Sequence, residues 1–204
     1  MDERLTLEEG EFLVRLAREA IERYLSSGER ISVDPPTPRL AEKRGVFVTL
    51  KTYPDDELRG CIGFPEPIKP LVDATVDAAI SAATNDPRFP PMRDPSELER
   101  VRIEVSVLTP PRKLNVSHPR EYLEAIEIGR HGVIIKRGLN SGLLLPQVPV
   151  EEGWDVMEFL SHACLKAGLP PDCWTDPSCD VYVFEAQVFE EVEPGGRVVE
   201  KELG

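Results

Sequence analysis

The sequence predicts an α+β fold whose sheet is at least partly antiparallel. Two pairs of β-branched or apolar runs are joined by turn-forming residues: 45–53 with 58–64 around "PDDE", and the two halves of "GVIIKRGLNSGLLLP" (132–146). Segments with helical apolar spacing lie between these pairs. Because a hairpin makes neighbouring strands antiparallel, the pattern favours an α+β fold over a doubly wound parallel sheet.

The first helix has a clear start and end. Thr6 can cap it, Glu9 completes a capping box three residues later, and Gly28 ends it. An alanine-rich segment at 68–84 predicts a buried helix that stops at "NDPRFPP" (85–91). Two further helices are predicted around 119–126 and within "WDVMEFLSHACLKAGLPP" (154–171).

One strand stands out because its residue types alternate. In "VRIEVSVL" (101–108) the odd-numbered residues are apolar, whereas Arg102, Glu104 and Ser106 are polar. We therefore predict a strand with one buried face and one face toward solvent. "DVYVFEAQVFEEV" (180–192) predicts a closing strand.

The composition excludes several classes of protein. The chain has 204 residues, of which 41% are hydrophobic and 30% charged, as in ordinary globular proteins. Its formal net charge of −13 argues against broad binding to nucleic acids or anionic membranes. The first residues are acidic, and no apolar run approaches the roughly 20 residues needed to cross a bilayer. We therefore expect a cytoplasmic protein.

The cysteines and histidines do not indicate a metal or cofactor site. The four cysteines form no CxxC pair, so free thiols are expected, although Cys173 and Cys179 could form a local disulfide in a hyperthermophile. The three histidines are scattered along the chain. Phosphate-binding and dinucleotide-binding loops, the nucleophile elbow and the zinc-protease motif do not occur. We expect no metal and no cofactor.

The segment "LRGCIG" (58–63) is the main candidate for chemistry. In an extended strand Arg59 and Cys61 point the same way, so the guanidinium would lower the pKa of the thiol and favour a nucleophile. Gly60 and Gly63 would let a substrate, or another stretch of backbone, approach closely. Alternatively, Cys61 packs as a small hydrophobe and the glycines mark a bulge. Glu104 could accept a proton, pair with Arg59, or simply face solvent.

A second candidate is the proline-rich loop "NDPRFPP". Asp86 and Arg88 could contact an anionic or carboxylate group of a substrate from this rigid loop. An aspartate and an arginine two residues apart around a proline could equally brace a turn.

Several of these segments together resemble the AMMECR family. The segments that match, in this order, are "LRGCIG" (58–63), "DPRFPP" (86–91), "EVSVL" (104–108), "GLLLPQV" (142–148) and "FLSHACLKAGL" (159–169). The resemblance implies a single AMMECR-type domain over 1–204, with a larger and a smaller lobe, largely antiparallel sheets and a cleft that the cysteine motif faces.

The resemblance also implies site residues and partners. The residues that match the family motifs are Arg59, Gly60, Cys61, Gly63, Asp86, Arg88, Glu104 and Gln147. Members of the family are sometimes fused to, or encoded next to, a Memo-type protein and a radical SAM protein, which the resemblance implies as partners. One hypothesis is an enzyme, or a subunit of one, in a modification pathway with Cys61 as nucleophile. The other is a non-catalytic module that docks such a partner through the cleft.

Overall fold

The computed structural model describes residues 4–202, which form two compact units. The first unit comprises 4–108 and 187–201, and the second comprises 109–186 with residue 202. The helices are α1 (Leu7–Ser27), α2 (Leu71–Thr84), α3 (Arg120–Ala125), α4 (Gln147–Glu152) and α5 (Val156–Lys166). The strands are β1 (Val46–Thr52), β2 (Leu58–Phe64), β3 (Val101–Leu108), β4 (Arg112–Lys113), β5 (His131–Arg137), β6 (Asn140–Leu144), β7 (Asp180–Glu191) and β8 (Val198–Lys201).

The first unit is an antiparallel sheet covered by two helices. Its strands lie in the order β2-β1-β3-β7, and β8 also pairs with β7. Helices α1 and α2 bury their apolar faces against the odd-numbered side chains of β3 and the facing side chains of β1. This packing removes one face of the hairpin β1–β2 from water and leaves the other face for polar residues.

The second unit consists of antiparallel strands and helices around a core of its own. Strand β5 lies between β6 and β7, β4 also pairs with β7, and all these pairings are antiparallel. Helix α5 packs its apolar side, including Phe159, Leu160 and Ala163, against Val133 and Ile135 of β5. Of the helices in the described part of the chain, none combines the length and the apolar character that crossing a membrane requires.

The structure confirms the α+β class and most of the predicted elements. The capping box is present, since Thr6 accepts a hydrogen bond from the Glu9 amide and the Glu9 side chain accepts one from the Thr6 amide. Gly28 ends α1 in the left-handed conformation, with φ of 73°. Strand β3 has the predicted bounds. Helix α4 and strand β8 were not predicted.

The predicted solvent face of β3 is wrong. Glu104 is 8% exposed and Ser106 is also buried. Strand β3 lies inside the sheet between β1 and β7, and the side chains of Lys51 and Lys201 lie beside the Glu104 carboxylate at 3.1 and 3.6 Å. The alternation in the sequence therefore separates an apolar face from a buried polar one.

A fully buried carboxylate connects the elements of the first unit. Glu191, at the end of β7, is 0% exposed and accepts hydrogen bonds from Arg18 Nε at 2.8 Å and Nη2 at 2.6 Å. Its Oε2 also accepts from the Ile103 amide at 2.9 Å. The Arg18 guanidinium donates in addition to the carbonyls of Leu98 and Val101. One ion pair thus holds α1, the start of β3 and the end of β7 together.

We expect Glu191→Gln to lower the free energy of unfolding by about 3 kcal/mol, because removing one member of a buried pair leaves the other charge uncompensated. Denaturant titration measures this loss. The matched control is Glu190→Gln, whose carboxylate is 3.9 Å from Lys201 Nζ near the surface, and its cost should stay below about 1 kcal/mol. Equal losses for the two variants would contradict this role of Glu191.

Candidate active site around Cys61

The predicted site residues Cys61 and Glu104 form a row with Thr49, which lies between them on the strands of the first unit. Cys61 of β2 lies opposite Thr49 of β1, and Thr49 lies opposite Glu104 of β3. The Cys61 Sγ and Thr49 Oγ1 atoms are 3.2 Å apart, within hydrogen-bonding distance for sulfur. The thiol is half-buried and free. The pairing of the three strands therefore places a thiol, a hydroxyl and a carboxylate side by side on one face of the sheet.

The backbone of Cys61 is held by two side chains from the loop that follows α2. Within residues 4–202, strand β2 stands at one end of the strand order, so one of its edges has no neighbouring strand. Asp86 Oδ2 accepts a hydrogen bond from the Cys61 amide at 2.9 Å, and Arg88 Nη2 donates to the Cys61 carbonyl at 3.3 Å. The Asp86 carboxylate thus takes the role that the carbonyl of a neighbouring strand would have, the Arg88 guanidinium takes the role of its amide, and together they fix the position of the thiol.

Asp86 is a buried carboxylate in a dense set of donors. Its side chain is 2% exposed, and its Oδ1 accepts from the Arg88 amide at 3.1 Å and from Arg88 Nε at 3.0 Å. Its Oδ2 accepts from Arg88 Nη2 at 2.8 Å. The hydrogen bonds from the Arg88 side chain, with those from the two amides, hold the pKa of Asp86 far below its usual range. Asp86 is therefore a fixed charge and a poor proton acceptor.

The surroundings of the Cys61 thiol favour its protonated form. Burial raises its pKa above the ordinary value, and the charges of Glu104 and Asp86 act in the same direction. The contact with Thr49 and the charge of Arg88 lower the pKa but do not offset the burial. The thiol at rest is thus not the activated thiolate that the sequence predicted.

The predicted pairing of Arg59 with the thiol is also corrected. Register shows Leu50 opposite Gly60 and Lys51 opposite Leu58, so Arg59 is the extra residue of a β-bulge. Its guanidinium donates to the Pro90 carbonyl at 2.7 Å and lies 3.7 Å from the Glu97 carboxylate. It lines an open pocket of about 480 Å³ together with residues of the Pro95–Arg100 turn. The guanidinium whose charge lowers the thiol pKa belongs to Arg88.

The two glycines of the motif are packed against the protein. A Cβ at Gly60 would lie 2.2 Å from the Ala82 carbonyl oxygen of α2. A Cβ at Gly63 would lie 2.4 Å from the Phe47 ring and from the Val46 carbonyl oxygen. The space that the missing side chains leave is therefore taken by the helix and by β1, not by an opening for substrate. The alternative prediction, a bulge beside these glycines, matches the register.

Glu104 and Gln147 lie in different surroundings. The Glu104 carboxylate accepts a hydrogen bond from Lys51 Nζ at 3.1 Å, and the charge of Glu104 raises the pKa of Lys51 against the opposing effect of burial. Gln147 starts helix α4 in the second unit, whereas Arg59, Cys61, Asp86, Arg88 and Glu104 all belong to the first. Within residues 4–202, no group of three or more His, Cys, Asp or Glu side chains has an arrangement that could hold a metal ion.

The sequence indicated Asp86 and Arg88 as site residues but not that they bind the backbone of Cys61. It missed Thr49, whose hydroxyl is the polar group that contacts the thiol, and Lys51, which neutralises Glu104. The available signal was the register of the hairpin: once Cys61 is paired with Thr49, the polar row follows from the strand order.

Comparison with known proteins gives a consistent picture. The family model AMMECR1 matches residues 14–189. Protein MK0488 of Methanopyrus kandleri is 77% identical over 203 residues, covering 100% of this chain and 98% of that protein. Protein MJ0810 of Methanocaldococcus jannaschii is 61% identical, with 98% of each chain covered. The crystal structure of uncharacterized protein PH0010 from Pyrococcus horikoshii superposes with a TM-score of 0.85 at 56% identity, covering 96% of this chain and 98% of that one.

We expect Gly60→Ala to destabilise the protein by about 1–3 kcal/mol, because the added methyl group would collide with the Ala82 carbonyl and force strand and helix apart. Leu58→Ala, at an exposed position of the same strand, should cost clearly less. Denaturant titration of the two variants measures the difference. If Gly60→Ala is as stable as the wild type, packing does not require this glycine.

The pH dependence of Cys61 alkylation tests the electrostatics of the site. We expect slow reaction at pH 7 that rises in the alkaline range, because burial raises the thiol pKa. Arg88→Ala should move the rise to higher pH, whereas Arg59→Ala should leave it unchanged. Mass spectrometry of the Cys61 peptide follows the reaction. Thiolate reactivity well below pH 8 that disappears in Arg59→Ala would restore the role first predicted for Arg59.

The substitution Asp86→Asn tests whether the ionised Asp86 carboxylate stabilises the fold. The folded-state pKa of Asp86 lies below its unfolded value near 3.9, so the carboxylate stabilises the fold fully above that value and loses this effect as the pH falls below it. We expect the wild type to be more stable than Asp86→Asn by about 2 kcal/mol at pH 7, and the gap to narrow at pH 3. Denaturant titrations at both pH values measure it.

The matched control for Asp86→Asn is Asp55→Asn, at an exposed turn position, which should change stability at pH 7 by less than about 0.5 kcal/mol. A gap between wild type and Asp86→Asn that stays the same at pH 7 and pH 3 would contradict the ionised state of Asp86.

Proposed function

Because the chain belongs to the AMMECR1 family and carries a fixed cysteine on its edge strand, we propose that it is a cytoplasmic enzyme, or a subunit of one, in a modification pathway. In this proposal Cys61 is the nucleophile that attacks an electrophilic centre of the substrate. The cytoplasm fits a half-buried thiol that is free.

The observation that carries the proposal is the contact of the Cys61 thiol with the Thr49 hydroxyl, at a residue whose backbone is held by Asp86 and Arg88. A buried carboxylate is costly unless it is fully hydrogen-bonded, and Asp86 satisfies that condition partly through the Cys61 amide. A cysteine that served only as a small hydrophobe would require apolar neighbours. Here the sulfur instead contacts the Thr49 hydroxyl, and the positive charge of Arg88 lowers the pKa of the thiol. These surroundings favour a thiol held for reaction.

The chemistry starts from a neutral thiol. As the sulfur forms a bond to the electrophilic centre, another bond of that centre breaks and its electron pair moves to the other atom of that bond in the substrate. The thiol proton passes to a base, which in this proposal is Glu104, the carboxylate across Thr49 in the same row. The positive charge of Arg88 favours the thiolate character that develops on sulfur. Binding of substrate would exclude water from this face and strengthen both effects.

A second candidate function is a non-catalytic module that docks a Memo-type or radical SAM partner. The specific observation in its favour is the raised pKa of Cys61, which disfavours the reactive thiolate. In that case the Asp86–Arg88 pair protects the free edge of β2 from unwanted strand pairing and shapes the surface that the partner recognises.

Complementation separates the two functions. In a host strain that lacks its own homologue, Cys61→Ser should fail to restore function, because a hydroxyl at this position is a far weaker nucleophile. Cys179→Ala, which removes a buried thiol from the second unit, is the matched control and should restore it. Full restoration by Cys61→Ser, with unchanged retention of a partner in pull-down, would reject the enzyme and support the module.

A further inference from the structure

Three buried cysteines meet in the second unit. Cys164 lies in α5, Cys173 begins the short 3-10 helix Cys173–Thr175, and Cys179 directly precedes β7. The Sγ atoms of Cys173 and Cys164 are 2.8 Å apart, and those of Cys173 and Cys179 are 3.4 Å apart. The chain thus places Cys173 beside both other thiols and closest to Cys164, whereas sequence proximity had suggested a pair with Cys179.

The shorter separation indicates which chemistry this cluster can perform. Two thiolates on one tetrahedral zinc ion, each at about 2.3 Å, stand roughly 3.8 Å apart. The Cys173 and Cys164 sulfurs are closer than that, at 2.8 Å, and need to approach by only about 0.8 Å to reach the S–S bond length near 2.05 Å. The pair is therefore arranged for a covalent bond between sulfurs and not for a shared metal ion.

The backbone brings these two cysteines together without help from the sulfurs. Helix α5 ends at Lys166, Gly168 follows it with φ of 74°, and the Leu169 amide donates to the Cys164 carbonyl at 3.0 Å. The Cys173 amide then donates to the Pro170 carbonyl at 3.0 Å. This fixed turn returns Cys173 to the side of α5 that carries Cys164.

We propose that Cys164 and Cys173 form an intramolecular disulfide on oxidation, with Cys179 remaining a free thiol. Each of the two thiols gives up one proton and one electron as the two S–H bonds break and one S–S bond forms. A low-molecular-weight disulfide is the oxidant; it takes up the two electrons and two protons and is cleaved to two thiols. The bond connects the Cys173–Thr175 turn covalently to α5.

The disulfide would fix the wall of a pocket. Trp174 follows Cys173 and lines an open pocket of about 310 Å³, together with Tyr122 and Cys179. It also lines a second, largely apolar pocket of about 500 Å³, together with His118 and Met157. Since Trp174 directly follows Cys173, the crosslink would tie a residue that lines both pockets to α5.

We expect oxidation in the folded state to be slow at neutral pH. Burial and the neighbouring sulfurs raise the pKa of Cys179 to about 12 and raise that of Cys164 as well. Because the thiolate is the species that attacks a disulfide, the rate of crosslinking should increase steadily with pH.

Peptide mapping of the wild-type protein tests the proposal directly. The full chain is incubated with oxidised glutathione, denatured, alkylated without reduction, and digested. We expect an intact mass lower by two hydrogens before alkylation, alkyl groups on Cys61 and Cys179 only, and a linked peptide pair containing Cys164 and Cys173. A Cys173–Cys179 link, four alkylated cysteines, or a protein that retains a metal ion in its native mass spectrum would overturn the proposal.

Thermal unfolding with and without reductant gives an independent test. Closing a ten-residue loop by a disulfide stabilises a protein enough to raise the melting temperature by roughly 5–10 °C. We expect reductant to lower the melting temperature of wild type and Cys179→Ala by this amount and to leave Cys164→Ala unchanged. A reductant effect that is lost in Cys179→Ala but kept in Cys164→Ala would overturn the pairing. If Cys164→Ala does not fold, the peptide map of the wild type decides.

Discussion

The first unit depends on a charge that water does not reach. Glu191 has all its partners inside the protein, and the Ile103 amide is one of them, so the carboxylate fixes where β3 begins relative to β7. Strand β1 pairs with β3, and β2 pairs with β1. The position of β3 that Glu191 fixes therefore sets the pairing that places Thr49 opposite Glu104 and, through β1, Cys61 opposite Thr49. A change at Glu191 would act on the thiol through two strand pairings.

At the outer edge of this sheet, side chains take the place of a neighbouring strand as hydrogen-bond partners of the backbone. Without a neighbouring strand, the amide and carbonyl of Cys61 would need water or side chains, and an open edge invites pairing with another chain. Asp86 and Arg88 bind both groups and neutralise each other at the same time. Edge protection explains the ion pair for any residue at position 61. It does not explain why that residue is a thiol in contact with a hydroxyl, which is the feature that the enzyme hypothesis accounts for.

Local sequence patterns were sufficient to predict the fold class and most helices and strands, but not the contacts of the candidate site. Thr6, Glu9 and Gly28 define α1 because capping depends only on nearby residues, and both hairpins follow from their turns. The bulge at Arg59 inserts one residue into β2, and strict alternation cannot reveal such an insertion. The contacts of Asp86 and Arg88 with Cys61 span 25 and 27 residues and depend on how α2 returns to the strand. Helix α4 was missed because Pro146 and Pro149 at its start suggest a loop.

The thiols of the two units show why a pKa shift alone does not identify a nucleophile. Burial raises the pKa of Cys61 and also that of Cys164 and Cys179. The difference lies in what surrounds each sulfur. The groups near Cys61 include a hydroxyl and a guanidinium that favour the thiolate, so a substrate that supplies further positive charge or accepts the proton can activate it. The neighbours of Cys164 are sulfurs that oppose ionisation, and such a thiol reacts most readily with the partner already beside it.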